Sequence, residues 1–416
     1  MIYLFAIPAL LLVFFSFRSF TGGTRYLRFF RSELEKPPSR FTPFATVIVP
    51  CRGIDQGLYE NLAAHLHHDY PRYEVIFVVD DDNDPAAEVI RAVGKDNAAD
   101  LGEQERCRSA RLAVAPKAAG MSQKAENLRE GVRCASPHAE VFAFADSDAR
   151  PSAGWLRSLI APLADDHIGA ATGYRWFIAA SPSAATELRS AWNASIASAL
   201  GPDEASNFCW GGATALRRET FEQLRIADAW IGTLSDDFVV TRVLRAAGAG
   251  VAFVPRSLTA SVENCTFREL VEFTTRQMKI TRVYAAKLWL MSFFGSALFS
   301  AVMSAAILIV VLAKDRILWW TAAATLVAVA ALSIGKAILR MQAVQLALPQ
   351  YAGQLRRQML PQCVLWAITP PLFLGNCVAA WASRRITWRG TTYELVSPTE
   401  TKVIGHAPDG TPAIGE

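Results

Sequence analysis

The sequence predicts an open, mostly parallel α/β sheet domain flanked by apolar segments suited to a membrane. Three observations predict it: short β-branched runs alternate with helical periods between residues 45 and 283, two of those runs end in acidic turns, and long uncharged stretches lie at both ends of the chain. Hydrophobic residues make up 52% of the 416 and charged residues 19%, an apolar balance unusual for a soluble protein. The net charge of +4 is small and scattered, which argues against a nucleic-acid partner. Seven cysteines, at 51, 107, 134, 209, 265, 363 and 377, have no paired spacing and read as reduced, placing the sheet domain in the cytosol.

Residues 1–20 form the first element, in which the almost wholly apolar run from Ile2 to Phe17 is followed by Arg18 and then by Arg25, Arg28 and Arg31. A cleaved signal carries its basic residues before the apolar run, so this one reads as an uncleaved transmembrane anchor with its amino terminus outside. Lys36-Pro37-Pro38-Ser39 is a linker into a domain spanning 45–283. Residues 46–50 read as a strand, 58–68 as a helix and 73–79 as a second strand running into the acid-rich turn 80–84. A helix over 85–93 and a polar loop follow, then a strand at 111–115, a helix over 123–132 and a strand at 141–145 that ends in Asp146-Ser147-Asp148. Another helix, 239–246, follows Ser235-Asp236-Asp237.

The membrane segments of the carboxyl-terminal part, 288–382, are 288–313, 317–335 and 359–382. The first two read as a helical hairpin around the turn Lys314-Asp315-Arg316. The third carries Pro370-Pro371 and has basic flanks on both sides, so it is expected to bend back as a re-entrant hairpin. Residues 383–416 read as a tail, with the last ten disordered.

Two carboxylates one residue apart at a strand end, as in Asp146 and Asp148, suit a divalent cation and a ribose or water. A solvated turn is the plain alternative, because Asp is common there. Residues 80–84 hold four acids, more than a cap for the helix at Pro85 requires. Asp236 and Asp237 suit either the amino end of a helix, which favours negative charge, or a general base. Trp210-Gly211-Gly212 offers either an ordinary turn or close approach of backbone to a ligand. The basic residues Arg268, Arg276, Lys279, Arg282 and Lys287 fit a membrane flank or a diphosphate site. His65, His67, His68 and Asp69 lack zinc spacing and read as a partly exposed helix end.

In order, these features resemble the membrane glycosyltransferases of the GT-A fold, specifically the ceramide glucosyltransferases. The family's three Asp motifs correspond to Asp81 in the first acidic turn, Asp146 in Asp146-Ser147-Asp148, and Asp237 in Asp236-Asp237-Phe238. Gly53-Ile54-Asp55, Asn61-Leu62, Asp69-Tyr70-Pro71, Tyr73-Glu74-Val75, Lys124 and Asn127-Leu128 also fit, as does the tail Ile386-Thr387-Trp388-Arg389 with Thr392-Tyr393. The fourth motif, Gln/Arg-x-x-Arg-Trp, stands here as Arg276-Gln277-Met278-Lys279-Ile280. Isoleucine for tryptophan removes a stacking platform, and lysine for arginine removes a bidentate fork.

The resemblance implies an inverting transfer of a hexose, glucose by default, from a UDP-sugar to the hydroxyl of a membrane lipid such as ceramide. It assigns nucleotide-sugar binding to Cys51, Arg52, Gly53, Asp81, Lys124, Asp146, Arg276 and Lys279, and Mg²⁺ or Mn²⁺ to Asp146 and Asp148. Trp210, Gly211, Gly212, Asp236 and Ile280 fall to the acceptor, and Asp237 is the general base. The alternatives are another lipid acceptor (diacylglycerol, a hopanoid or a polyprenyl phosphate), a processive polysaccharide synthase, and a silent nucleotide-sugar-binding scaffold. No residue pattern specifies an oligomeric state.

Overall fold

In the computed structural model, residues 2–100 and 108–406 are described, and they cluster into two compact units. Cys107 and the final ten residues, expected on sequence to be reduced and disordered respectively, lie outside the described residues.

The sheet unit comprises Glu33–Pro182, Ala199–Cys265 and the chain from Arg384 onward. Its main sheet holds β1 (Ala45–Pro50), β2 (Tyr73–Val79), β3 (Arg108–Val114), β4 (Val141–Ala145), β5 (Ile168–Ile178), β6 (Ala213–Arg217) and β7 (Gly250–Val262). The strand order is β3-β2-β1-β4-β6-β5-β7, and β6 alone runs antiparallel to its neighbours. β2 and β4 are buried at every residue, as expected of central strands covered on both faces. Glu74 lies inside β2 and is satisfied there by Thr46 Oγ1 at 2.7 Å, Arg111 Nη2 at 2.5 Å and the Ser136 amide at 2.6 Å.

Helices of this unit are α2 (Leu58–Ala64), α3 (Pro85–Asp100), α4 (Gln123–Cys134) and α5 (Trp155–Ile160). The segment expected as a polar loop after 93 is helical to Asp100. The tail is a folded element: β8 (Arg385–Trp388), β9 (Thr391–Ser397) and β10 (Glu400–His406) form an antiparallel three-stranded sheet. Its signal was present in the alternation of Thr391–Ser397 after the two-residue turn Arg389-Gly390.

The helical unit comprises Met1–Ser32, Ser183–Ser198 and Thr266–Ser383. Its first helix, α1 (Ile2–Glu35), continues 15 residues past the expected anchor, because Arg25, Arg28 and Arg31 are good helix formers. Between β5 and β6 the chain sends α6 (Ala184–Ala197) into this unit, an element the sequence reading did not separate from the sheet domain. Two short helices, α7 (Arg218–Gln223) and α8 (Ile226–Ala229), and then α9 (Asp236–Ala246) return to the sheet unit.

The remaining helices are α10 (Phe267–Tyr284), α11 (Ala286–Leu312), α12 (Arg316–Ala347), α13 (Ala352–Val364) and α14 (Thr369–Ala382). Asp315 caps α12 by accepting from the amides of Ile317 and Leu318, so the tight turn falls where expected, while the helix runs 12 residues beyond 335. Tyr3–Glu35, Ala286–Leu312 and Arg316–Ala347 are long and apolar enough to cross a membrane. Phe5, Ala9 and Leu12 of α1 share one buried cluster with Val302 and Ala306 of α11 and Ala322 and Val329 of α12. Opposite that seam, Leu4, Leu10, Leu308, Val311 and Ile317 are exposed.

The third apolar segment is two helices, Pro349–Ala367 and Thr369–Ala382, bent by 60°. Pro370 and Pro371 stand in the first turn of α14, where a missing amide costs nothing. Arg282 on α10 donates to the carbonyls of Ala380 and Trp381 at the end of α14, and Trp192 of α6 stacks on Phe373 at 4.6 Å.

Candidate active site

Four elements of the sheet unit deliver one charged cluster. β4 ends at Ala145, so Asp146-Ser147-Asp148 follows at the carboxyl edge of a central strand. Lys124 stands in the first turn of α4, whose start is fixed by Ser122 Oγ accepting from the Ala125 amide at 3.1 Å. Asp236 and Asp237 open α9, and Arg175 projects from β5. Lys124 Nζ lies 2.7 Å from Asp146 Oδ1 and 3.3 Å from Asp236 Oδ1. The Arg175 fork bridges the two acids of the strand-end turn, 2.8 Å from Asp146 Oδ2 and 2.8 Å from Asp148 Oδ2.

Sequence reasoning missed Arg175. Its signal was a single arginine in the otherwise apolar and small-residue run of β5, which demanded an acid partner. The guanidinium also sits 5.0 Å over the Trp210 ring, which packs on Tyr174.

Burial would raise the carboxyl of Asp146, but Lys124 and then Arg175 outweigh it and hold it below the ordinary carboxylate value. Burial likewise works against the Lys124 ammonium, and the Asp146 and Asp236 carboxylates outweigh it, so Lys124 stays charged. Asp236 is different: burial pushes it up to about 6 despite Lys124, with Asp237 and Asp146 adding to the rise. The two glycines after Trp210 are required by this packing. A Cβ on Gly211 would fall 2.3 Å from Asp236 Oδ2, and one on Gly212 would fall 2.2 Å from the Trp210 ring and 2.7 Å from Asp146 Oδ2.

Asp237 accepts on Oδ1 from the Ser235 hydroxyl and from the Phe238 amide at 2.7 Å. Asp148 Oδ1 is buried without a hydrogen-bond partner among the described residues. No three His, Cys, Asp or Glu side chains come together as a metal-ligand set among the described residues. Two carboxylates with a buried orphan oxygen nevertheless fit a hard divalent ion that completes its shell with substrate oxygens.

The acidic turn 80–84 divides its work. Asp84 caps α3 through the Ala86 amide and also holds the Gly53 amide, both at 2.8 Å; Asp82 pairs with Arg91 at 2.5 Å. Asp80 is buried and lies 3.1 Å from Lys117. Asp81 is exposed, lies 3.6 Å from Lys117 and accepts from the Asn83 amide, which holds its carboxyl below the ordinary value. Cys51 is buried at the end of β1, and Arg52 reaches Thr391 Oγ1 at 3.4 Å. Arg276, Lys279 and Ile280 lie on α10 in the helical unit, where Arg276 sits over the Phe273 ring at 5.7 Å and Ile280 is buried. Burial lowers the Lys279 ammonium.

The histidine group follows the end of α2 and is partly exposed, as expected: His67 and Asp69 face solvent. His65 and His68 are both 1% exposed and pack with Trp155, His68 stacked on its ring at 5.3 Å. Burial lowers His65 to about 3, so it is neutral at physiological pH.

The geometry of this cluster leaves the reaction class open, and the family match decides it. The chain matches glycosyl transferase family 21 over residues 4–401. It belongs to that family. The protein is therefore a glycosyltransferase, and the sequence resemblance holds at the level of the family that includes ceramide glucosyltransferases. Among solved structures, this glycosyltransferase is similar to a mannosyltransferase from Pyrobaculum calidifontis in complex with GDP-Man and Mn²⁺. The identity is 20%, covering 91% of this chain and 98% of that one, with a TM-score of 0.47. It is also similar to glucosyl-3-phosphoglycerate synthase from Mycobacterium tuberculosis in complex with Mn²⁺ and UDP-glucose, at 16% identity over 60% of this chain and 81% of that one, with a TM-score of 0.36.

The raised carboxyl of Asp236 makes a stability prediction. A folded-state value of about 6 against an ordinary 3.8 means that ionised Asp236 costs stability, a cost absent below about pH 4 and fully present above about 6. Asp236→Asn, an isostere of the neutral form, is expected to melt a few degrees above the wild type at pH 7.5 in detergent and to lose that advantage as the pH falls to about 3.5. Equal melting temperatures at both pH values would contradict the shift.

Proposed function

We propose that this glycosyltransferase moves a hexose, glucose by default, from a UDP-sugar to the hydroxyl of a membrane lipid such as ceramide, inverting the anomeric carbon. The observation that carries the reading is the cluster in which Lys124 and Arg175 are both engaged by Asp146, Asp148 and Asp236. A diphosphate entering such a site meets cations already neutralised, so its charge calls for an additional cation. Asp146 and Asp148 would hold Mg²⁺ or Mn²⁺, which supplies neutralisation of the diphosphate. Asp81 and the Cys51-Arg52-Gly53 turn would take the base and ribose.

In this reading Asp237 is the general base. Among the described residues, the hydrogen bonds to its carboxylate fall on Oδ1 and orient it, so that Oδ2 would take the acceptor proton. As the lipid oxygen bonds to the anomeric carbon, the bond from that carbon to the phosphate oxygen breaks and UDP leaves with the electron pair. Asp236, bound to Lys124, positions α9 rather than reacting. Lipid acceptors do not leave the bilayer readily, and an enzyme carried on membrane helices meets the hydroxyl at the interface.

Topology supports a cytosolic site with a re-entrant third segment. The chain leaves the sheet unit at Cys265 and rejoins it at Arg384, so between those points it crosses a membrane an even number of times. Helices α11 and α12 are two crossings, and the bent pair α13–α14 then enters and returns. The arginines at 18, 25, 28 and 31 favour the cytosol for the sheet unit.

Three measurements test these statements. Purified protein incubated with labelled UDP-sugars and total lipid is expected to yield a labelled glycolipid, identified by mass, and excess chelator should abolish transfer until Mg²⁺ or Mn²⁺ is restored. Full transfer in chelator would remove the metal from the scheme, and label found only in free sugar would remove the lipid. Asp237→Asn is expected to lower kcat about a hundredfold with UDP binding unchanged; near-normal turnover would pass the role to Asp236. A cysteine placed at the exposed Thr399 should react with an impermeant maleimide only after cells are permeabilised, and reaction in intact cells would overturn the re-entrant reading.

A further inference from the structure

Arg389 has the most unusual backbone in the tail sheet. It stands at φ 48°, followed by Gly390 at φ 73°, in the two-residue turn between β8 and β9. Such a turn is served most readily by Asn, Asp or Gly, because a left-handed residue with a Cβ is strained. Strain of this kind persists where surrounding contacts fix it.

Here the contacts are explicit. Arg389 Nη2 donates to both carboxylate oxygens of Asp55, at 2.8 and 3.0 Å, and Nη1 donates to the Arg52 carbonyl at 2.5 Å. The Asp55 side chain is 9% exposed, and its Oδ2 also accepts from Ser147 Oγ at 3.1 Å. Ser147 is the middle residue of the strand-end turn that carries Asp146 and Asp148. An unbroken line of bonds thus runs from the tail hairpin, through Asp55, into the acidic turn. Thr391, two residues on, receives the Arg52 side chain.

We propose that Arg389 is a positioning residue of the donor site. It pins Asp55, and through Asp55 the Ser147 hydroxyl, so that the acidic turn and the facing 51–53 turn keep one separation when the nucleotide-sugar enters. The proposal rests on the reading of this pocket as a nucleotide-sugar site. An arginine is required because one fork spans the Asp55 carboxylate and the Arg52 carbonyl together, which an ammonium does not.

The test uses the full chain in detergent, with calorimetric titration of UDP in Mn²⁺ and steady-state kinetics for donor and lipid. Wild type that binds no UDP would end the nucleotide-sugar reading itself, independently of Arg389. Given wild-type binding, Arg389→Ala is expected to raise the UDP Kd and the donor KM about tenfold while leaving the lipid KM unchanged. Arg389→Lys should fall between the two, and Lys402→Ala, on the outer strand of the same sheet, should match wild type. In Asp55→Ala the further change Arg389→Ala should cost little more, because the two act as one unit. A donor KM within twofold of wild type in folded Arg389→Ala would overturn the proposal, as would equal losses in donor and lipid parameters. Should Arg389→Ala fail to fold, Arg389→Lys decides: a donor KM and UDP Kd equal to wild type would overturn the requirement for the fork.

Discussion

The ammonium of Lys124, held between Asp146 and Asp236, is the interaction on which the rest of the site depends. It ties the first turn of α4, the end of β4 and the first turn of α9 to one point, the first and last of them more than a hundred residues apart in sequence. Neither acid nor base is stable alone in so little water. Removing Lys124 would leave Asp146 to Arg175 alone and Asp236 without its cation. Gly211 and Gly212 follow from this constraint, since the carboxylates stand where a side chain there would point.

Much of the amino-terminal half was legible because its strands are continuous apolar runs ended by acids. The strands 73–79 and 141–145 fall where sequence put them, because Tyr73–Val79 and Val141–Ala145 are buried on both faces and bounded by turns. The region from 155 to 262 was largely silent. β5 carries Gly169, Gly173 and Arg175, which blur a strand pattern, and Gly173 is there because the Ser257 carbonyl of β7 passes where its Cβ would stand. The acids of the cluster and Lys124 were legible, whereas its second cation was not. Asp146, Asp236 and Asp237 announced themselves at strand and helix ends, whereas Arg175 lies mid-strand and acquires meaning only once the fold brings the acids to it. The acids of 80–84, crowded in sequence, divide in space: Asp80 and Asp81 share Lys117, Asp82 pairs with Arg91, and Asp84 caps α3.

Helical boundaries show a different limit. Hydropathy marks where a segment leaves the bilayer but not where its helix stops, so α1 and α12 outrun the expected spans on helix-favouring polar residues. Lys336 on that extension donates to Ser19 Oγ at 2.7 Å, and Arg340 donates to Gln362 at 2.8 Å, so each of these two cations has a neutral partner within the unit. The break before α14 is set by local chemistry, a proline pair at a helix start, and its carbonyl end is closed by Arg282.

The tail sheet has a consequence for how the protein is made. Its hairpin bonds to residues more than 330 positions earlier, and every apolar helix of the carboxyl-terminal half lies between. In chain order the seven-stranded sheet is therefore complete before its latch, which follows the last apolar helix. Contacts of such long sequence separation form late. A chain clipped after residue 383 would keep Asp146, Asp148, Asp236 and Asp237 and lose the Arg389 bonds to Asp55 and Arg52.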